Sequence, residues 1–225
     1  MKSFYEKYRH GVPMVIFMAV YLLWFCLLEQ RTNVNYMVVH MNIDDYIPFC
    51  ELFVVPYLLW FVYVPAVVVY LFFKDKDGYW NSVVFLCTGM LIFLIISTFI
   101  PNIQHLRLRV MPRDNVFTRL VWMLWRTDTP TNLFPSIHVY NSLGAHFAVL
   151  ANERLSGKKW IRRSSLCLCV SIILSTMFIK QHSMFDVLTA LIMGTVMYAV
   201  VYSYNVVSVY RYQAAKRSRK RAGIG

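Results

Sequence analysis

Two short polar clusters at the edges of apolar runs carry the residues whose types and spacing could do chemistry. They are F-P-S-I-H-V-Y-N-S from Phe134 to Ser142 and K-Q-H-S-M-F-D-V from Lys180 to Val187. His182 and Asp186 are four residues apart, so on a helix they share a face. A carboxylate that accepts a hydrogen bond from one imidazole nitrogen fixes the tautomer and leaves the other nitrogen free to attack. Nucleophilic attack on phosphorus needs that arrangement. His138 opens the other cluster just after Pro135 and Ser136, where a second imidazole could protonate a leaving oxygen. Backbone amides at a helix N-terminus, together with the Ser136 hydroxyl, would cradle the non-bridging oxygens of a phosphate. His40, His105 and His146 have no such neighbours and are read as structural.

The elements that must position these residues are membrane helices. Hydrophobic residues make up 58% of the 225, mean hydropathy is +0.49, and the polar residues fall in short blocks between long apolar runs. That pattern marks an all-α integral membrane protein. A span needs about 20 mostly apolar residues, and six candidates are present: Pro13 to Leu28, Pro48 to Phe73, Trp80 to Ile100, Phe134 to Ala151, Ser164 to Ile179 and Phe185 to Tyr204. No small-residue cleavage site follows the first, which reads as a retained helix. The expected organisation is a six-span membrane domain over residues 1–210 and a basic cytoplasmic tail over 211–225. No soluble domain or repeat is visible.

Lys and Arg set the orientation, because cytoplasmic segments carry their excess. With the N-terminus inside, 16 of the 23 fall on the inner side, including the Lys216 to Arg221 run. The remaining 7 are Arg31, Arg107, Arg109, Arg113, Arg119, Arg126 and Lys180. Both histidine clusters then face the extracytoplasmic side. The net charge of +12 is read as topology and anionic-headgroup contact, not as a nucleic-acid footprint. Short loops are compatible with a bacterial plasma membrane.

Between the first two spans, Val34 to Glu51 is interrupted too often by polar residues to cross a bilayer. It is expected to form an amphipathic surface helix or re-entrant stretch on the outer face, ending at Asp44 and Asp45 before Pro48 starts the next helix. Capping or loop pairing accounts for the two aspartates. Glu51, at the membrane edge, requires a basic partner. The five cysteines, Cys26, Cys50, Cys87, Cys167 and Cys169, lie in or beside apolar runs and read as small buried hydrophobes. Histidines and carboxylates do not cluster at metal-site spacing, so no metal or other cofactor is expected.

P-S-I-H at Pro135 to His138 and S-T-M-F-I-K-Q-H-S-M-F-D at Ser175 to Asp186 resemble the second and third signatures of the type-2 phosphatidic acid phosphatase superfamily, P-S-G-H and S-R-x5-H-x3-D. With the six-span topology, the resemblance extends over most of the chain. It implies that His182 forms a phosphohistidine, that Asp186 orients it and that His138 acts as acid. Ile137 stands where the family has glycine, and Thr176 where it has arginine. The first signature, K-x6-R-P, is poorly kept: Arg107 matches its arginine, Leu108 follows, and Ile100 occupies the lysine position. Phosphate charge must then be met by other cations, with Arg107, Arg109, Arg113, Arg126 and Lys180 as candidates beside Ser136.

The reduced third signature, H-x3-D, is also similar to the sphingomyelin synthase and inositol phosphorylceramide synthase branch, whose members pass a phosphorylated headgroup to a lipid alcohol. The resemblance implies a metal-independent lipid phosphatase acting on phosphatidic acid, phosphatidylglycerol phosphate or a polyprenyl diphosphate. A lipid phosphotransferase is the alternative. A different class, a phospholipid-binding or transport protein that keeps the fold without catalysis, is suggested by the altered signatures.

Overall fold

Long, mostly apolar runs fold as helices, since a helix satisfies its own backbone in hydrocarbon. The computed structural model describes residue 6, residues 8–207 and residues 209–210. The basic tail predicted over 211–225 lies outside the described residues. Among the described residues eight α-helices follow in order: α1 (Val12–Glu29), α2 (Val54–Lys74), α3 (Lys76–Phe99), α4 (Val116–Thr127), α5 (Ile137–Ala151), the short α6 (Glu153–Ser156), α7 (Lys159–Phe178) and α8 (Met184–Tyr198). Two two-residue strands, β1 (Met37–Val38) and β2 (Asn102–Ile103), pair in parallel on the face where the histidines lie.

Five of these helices, α1, α2, α3, α7 and α8, are long and apolar enough to cross a membrane. The chain is therefore a mostly helical bundle with the character of an integral membrane protein. The sixth expected span differs. Its helix, α5, starts only at Ile137 and has 15 residues, about 22 Å at 1.5 Å per residue, against a hydrocarbon core of about 30 Å. Ser136 caps its start by accepting the Val139 amide, and at its end the chain turns at Asn152, which caps α6 by accepting the Leu155 amide. Asn152 also donates to Asp75, whose other oxygen caps α3 through the Gly78 amide. The far end of α5 is thereby tied to the α2–α3 turn.

What α5 lacks in length it makes up in enclosure. It packs against α2, α3, α7 and α8, and Val139, Tyr140, Ala145, Ala148 and Val149 are buried. Glycine permits the close approach to α3, because a Cβ at Gly89 would sit 2.0 Å from the Tyr140 ring. Tyr140 stacks on Phe85 and donates its hydroxyl to the Phe85 carbonyl, so its own buried phenol is paired. By contrast, α1 buries only Tyr21 and Leu28 and exposes Val15, Ile16 and Leu23, as a helix facing lipid does.

Two expectations need correction. The Val34 to Glu51 segment forms no amphipathic or re-entrant α-helix. It runs through β1 and a 3-10 turn at Asn42–Asp45 into a second at Glu51–Phe53, with α2 starting at Val54 and not at Pro48. Pairing of β1 with β2 holds it extended, and Asp44 is spent elsewhere, as described below. The cysteines are free, but Cys26 and Cys167 are exposed on the bundle surface and only Cys169 is buried. Glu51 is paired with Arg113 at 2.8 Å and also accepts from Asn115 at 3.0 Å.

Candidate active site at the α7–α8 turn

The helix α7 ends at Phe178, and the chain turns back within five residues to start α8. Lys180 takes a positive φ of 56°, which lets the Thr176 carbonyl accept both the Gln181 and His182 amides, at 2.9 and 3.0 Å. The Met177 carbonyl accepts the Lys180 amide, and the three after it are each met by a different segment: Phe178 accepts from the Cys50 amide, Ile179 from the Trp125 indole and Lys180 from the Gln104 side chain. A turn with its backbone satisfied from three directions is held as rigidly as the helices it joins.

Capping of α8 builds the histidine's orientation. Ser183 accepts the Phe185 amide, and Asp186 reaches back to accept the Ser183 amide at 3.0 Å, a capping box. The same Asp186 oxygen lies 3.2 Å from Nδ1 of His182. Both residues are buried, His182 at 4% exposure and Asp186 at 0%. Nδ1 donates to the carboxylate, so Nε2 keeps its lone pair. The other Asp186 oxygen has no partner among the described residues.

Asp44 completes the cap from 139 residues away. Its carboxylate accepts the Ser183 hydroxyl at 2.5 Å and the Met184 amide at 2.7 Å, and its own segment closes on it through the Met41 amide at 2.8 Å. The Lys180 ammonium donates to the Asp44 and Ile47 carbonyls at 2.9 and 2.6 Å. Burial pulls the Lys180 pKa below its ordinary value, against the pull of Asp44 and Asp45.

His138 faces His182 with ring centroids 5.7 Å apart. Tyr57 stacks on it at 4.6 Å and Trp60 tilts against it at the same distance. These two rings of α2 fix an imidazole that has no hydrogen bond on either nitrogen among the described residues. Beside it, the Ile137 and His138 amides at the start of α5 also lack acceptors there, and the amide of Ser136 meets the Asp186 carbonyl at 3.3 Å. Unpaired amides at a helix start accept anions.

Arg107 is the cation the fold brings in. Its guanidinium donates to the Trp125 and Thr129 carbonyls and to Gln181 Oε1, at 2.9, 3.0 and 2.7 Å, and lies over the Trp125 ring. Gln181 in turn donates to Asp128 at 2.9 Å and to the Tyr57 hydroxyl. Burial lowers the Arg107 pKa, opposed by Asp128, and burial raises that of Asp128, opposed by Arg107 and His182. The loop carrying Asp128 is anchored to α1, where the Glu29 carboxylate accepts from Thr129, Thr131 and Asn132.

Of the candidate site residues, His138, His182, Asp186, Ser136 and Arg107 converge on this turn. Arg109 and Arg126 are exposed and no contact joins them to it, Arg113 is engaged by Glu51, and the Lys180 ammonium is consumed by the Asp44 and Ile47 carbonyls. Gln181, Asp128, Tyr57 and Trp60 are the neighbours that sequence reasoning did not supply. Gln181 adjoins His182, which was the available signal; the others come from segments 53 or more positions away from the turn. Among the described residues, no three His, Cys, Asp or Glu side chains are grouped to hold a metal ion.

The fold and site together define a helical membrane bundle with two facing imidazoles, one of them carboxylate-oriented. Comparison with family models, curated proteins and solved structures found no match.

Proposed function

We propose that the chain is a type-2 phosphatidic-acid-phosphatase-like enzyme that hydrolyses a lipid phosphate without a metal, through a phosphohistidine. The observation that carries this reading is the Asp186–His182–His138 arrangement. Nε2 of His182 attacks phosphorus, the N–P bond forms and the P–O bond to the lipid breaks, and protonated His138 gives its proton to the departing oxygen. Water then attacks phosphorus, His138 takes its proton, and the N–P bond breaks to release phosphate. Arg107 and the α5 amides supply positive potential for the phosphoryl oxygens. Phosphatidic acid, phosphatidylglycerol phosphate and polyprenyl diphosphates are the proposed substrates, entering sideways from the bilayer at the extracytoplasmic face, with both termini cytoplasmic.

A second reading, transfer to an alcohol as in the sphingomyelin and inositol phosphorylceramide synthases, is favoured by the aromatic walls at Tyr57 and Trp60, which restrict water at His138. A lipid-resolved assay in nanodiscs on wild type and His182→Ala, recording phosphate and headgroup-exchanged lipid, tests both. Phosphate release that is lost in the variant supports hydrolysis; exchange without phosphate supports transfer. Neither product across a broad lipid panel would refute both and leave a phospholipid-binding protein.

A further inference from the structure

At the end of the bundle opposite the histidines, a cavity of about 320 Å³ opens between α2 and α7, lined among others by Tyr63, Val67, Tyr70, Trp160 and Leu168. Its floor is hydrocarbon for a specific reason. The Ser165 hydroxyl lies 2.7 Å from the Tyr63 hydroxyl and 2.9 Å from Nδ1 of His146, so one polar group each from α2, α7 and α5 satisfy one another beneath the surface. Apart from the Ser164 and Tyr70 hydroxyls, the rest of the lining is apolar. An apolar chain is what it fits.

The rim has the opposite character. Arg154, Lys158, Lys159, Arg162 and Arg163 are exposed and flank the cleft-lining Leu155, Trp160, Ile161 and Ser164 along the chain, with Glu153 the one carboxylate in that stretch, a local charge of +4 from five cations less one acid. None of the five is in an ion pair among the described residues. Trp160, 68% exposed, sits between them where an indole occupies the headgroup boundary. Unpaired cations next in the chain to the lining of an apolar cleft match a negative headgroup carrying an acyl chain.

We propose that this cleft binds an anionic phospholipid, one chain lying on the Tyr63–Val67–Leu168 floor and the phosphate among the 154–163 cations. The site is separate from the histidine pair: α5 and α7 both run from one to the other.

The test uses the full chain in vesicles of equal phosphatidylglycerol and phosphatidylcholine, with one lipid at a time carrying brominated chains. The Trp160 signal is the fluorescence difference between wild type and Trp160→Phe. Brominated phosphatidylglycerol should be preferred over brominated phosphatidylcholine by about fivefold or more, on the scale of a single Lys or Arg contact. The combined variant Lys158→Gln, Lys159→Gln, Arg162→Gln, Arg163→Gln should bring the ratio to one. Ala66→Phe, which fills the cleft and leaves the rim intact, should do the same. A ratio of one in wild type would overturn the proposal. So would a preference that survives Ala66→Phe, since the lipid would then sit on the surface and not in the cleft.

Discussion

Replacing Asp44 by alanine tests the idea that the segment between α1 and α2, and not α8 alone, sets the position of His182. The carboxylate is 1% exposed and accepts from Met41, Ser183 and Met184. Alanine leaves three donors without that acceptor, at about 1–3 kcal/mol for each that stays buried and dry. Water entering the gap and fraying of the Met41 segment recover part of this. One full loss plus the cap term of about 1 kcal/mol and the charge–dipole term of about 0.3–1 kcal/mol gives a cost of about 3 kcal/mol. For a chain of this length that is a fall of roughly 6–12 °C in Tm, at about 2–4 °C per kcal/mol. Asp44→Asn keeps one acceptor oxygen in place and should lose about half as much. The assay is thermal unfolding in detergent, run beside lipid-phosphate turnover, which should fall with the Ser183 cap. An Asp44→Ala protein that melts within 1 °C of wild type, on a scale where about 3 kcal/mol was expected, would refute the argument.

Three further outcomes are expected. Arg107→Lys can satisfy only part of the Trp125, Thr129 and Gln181 acceptor set, so kcat/KM should fall by about tenfold or more; an unchanged value would remove Arg107 from the site. Burial raises the Asp128 pKa, so between its ordinary and its native value the folded chain holds more protons than the unfolded one, and stability rises as pH falls through that window. Asp128→Asn lacks this gain, and the Tm difference, wild type minus variant, should increase from pH 7 toward about pH 4; a flat difference would contradict the assignment. Gly89→Ala forces Tyr140 off α3 and should destabilise by about 1–3 kcal/mol, measured by the same melt, whereas wild-type stability would show that the two helices separate freely.

The parts of this fold legible in the sequence are those with long-range uniformity. The five spanning helices follow from apolar runs, and the His182–Asp186 contact follows from a four-residue spacing. The segments between helices were harder because their shape is decided by partners distant in the chain. Val34 to Glu51 is extended because β1 meets β2, and Asp44 is a cap for a helix that starts 140 residues later. The amphipathic α4 did carry a local signal: Asn115 and Thr118 form a capping box, and Val121 and Trp125 repeat at helical spacing. Of the site, the histidines and Asp186 were readable, while the choice of Arg107 among the outer cations depends on Gln181 and Trp125, which no spacing rule connects.

The enclosure of α5 has a mechanical consequence. A bilayer that thickens or thins acts on helices that touch lipid, through tilt and local stretching. Shielded by four neighbours and too short to span, α5 feels that strain only second-hand, so His138 is referenced to the protein interior. His182 hangs from the junction of α7 and α8, two helices with lipid-facing sides. Hydrophobic mismatch therefore reaches the helices that carry His182 more directly than the one that carries His138.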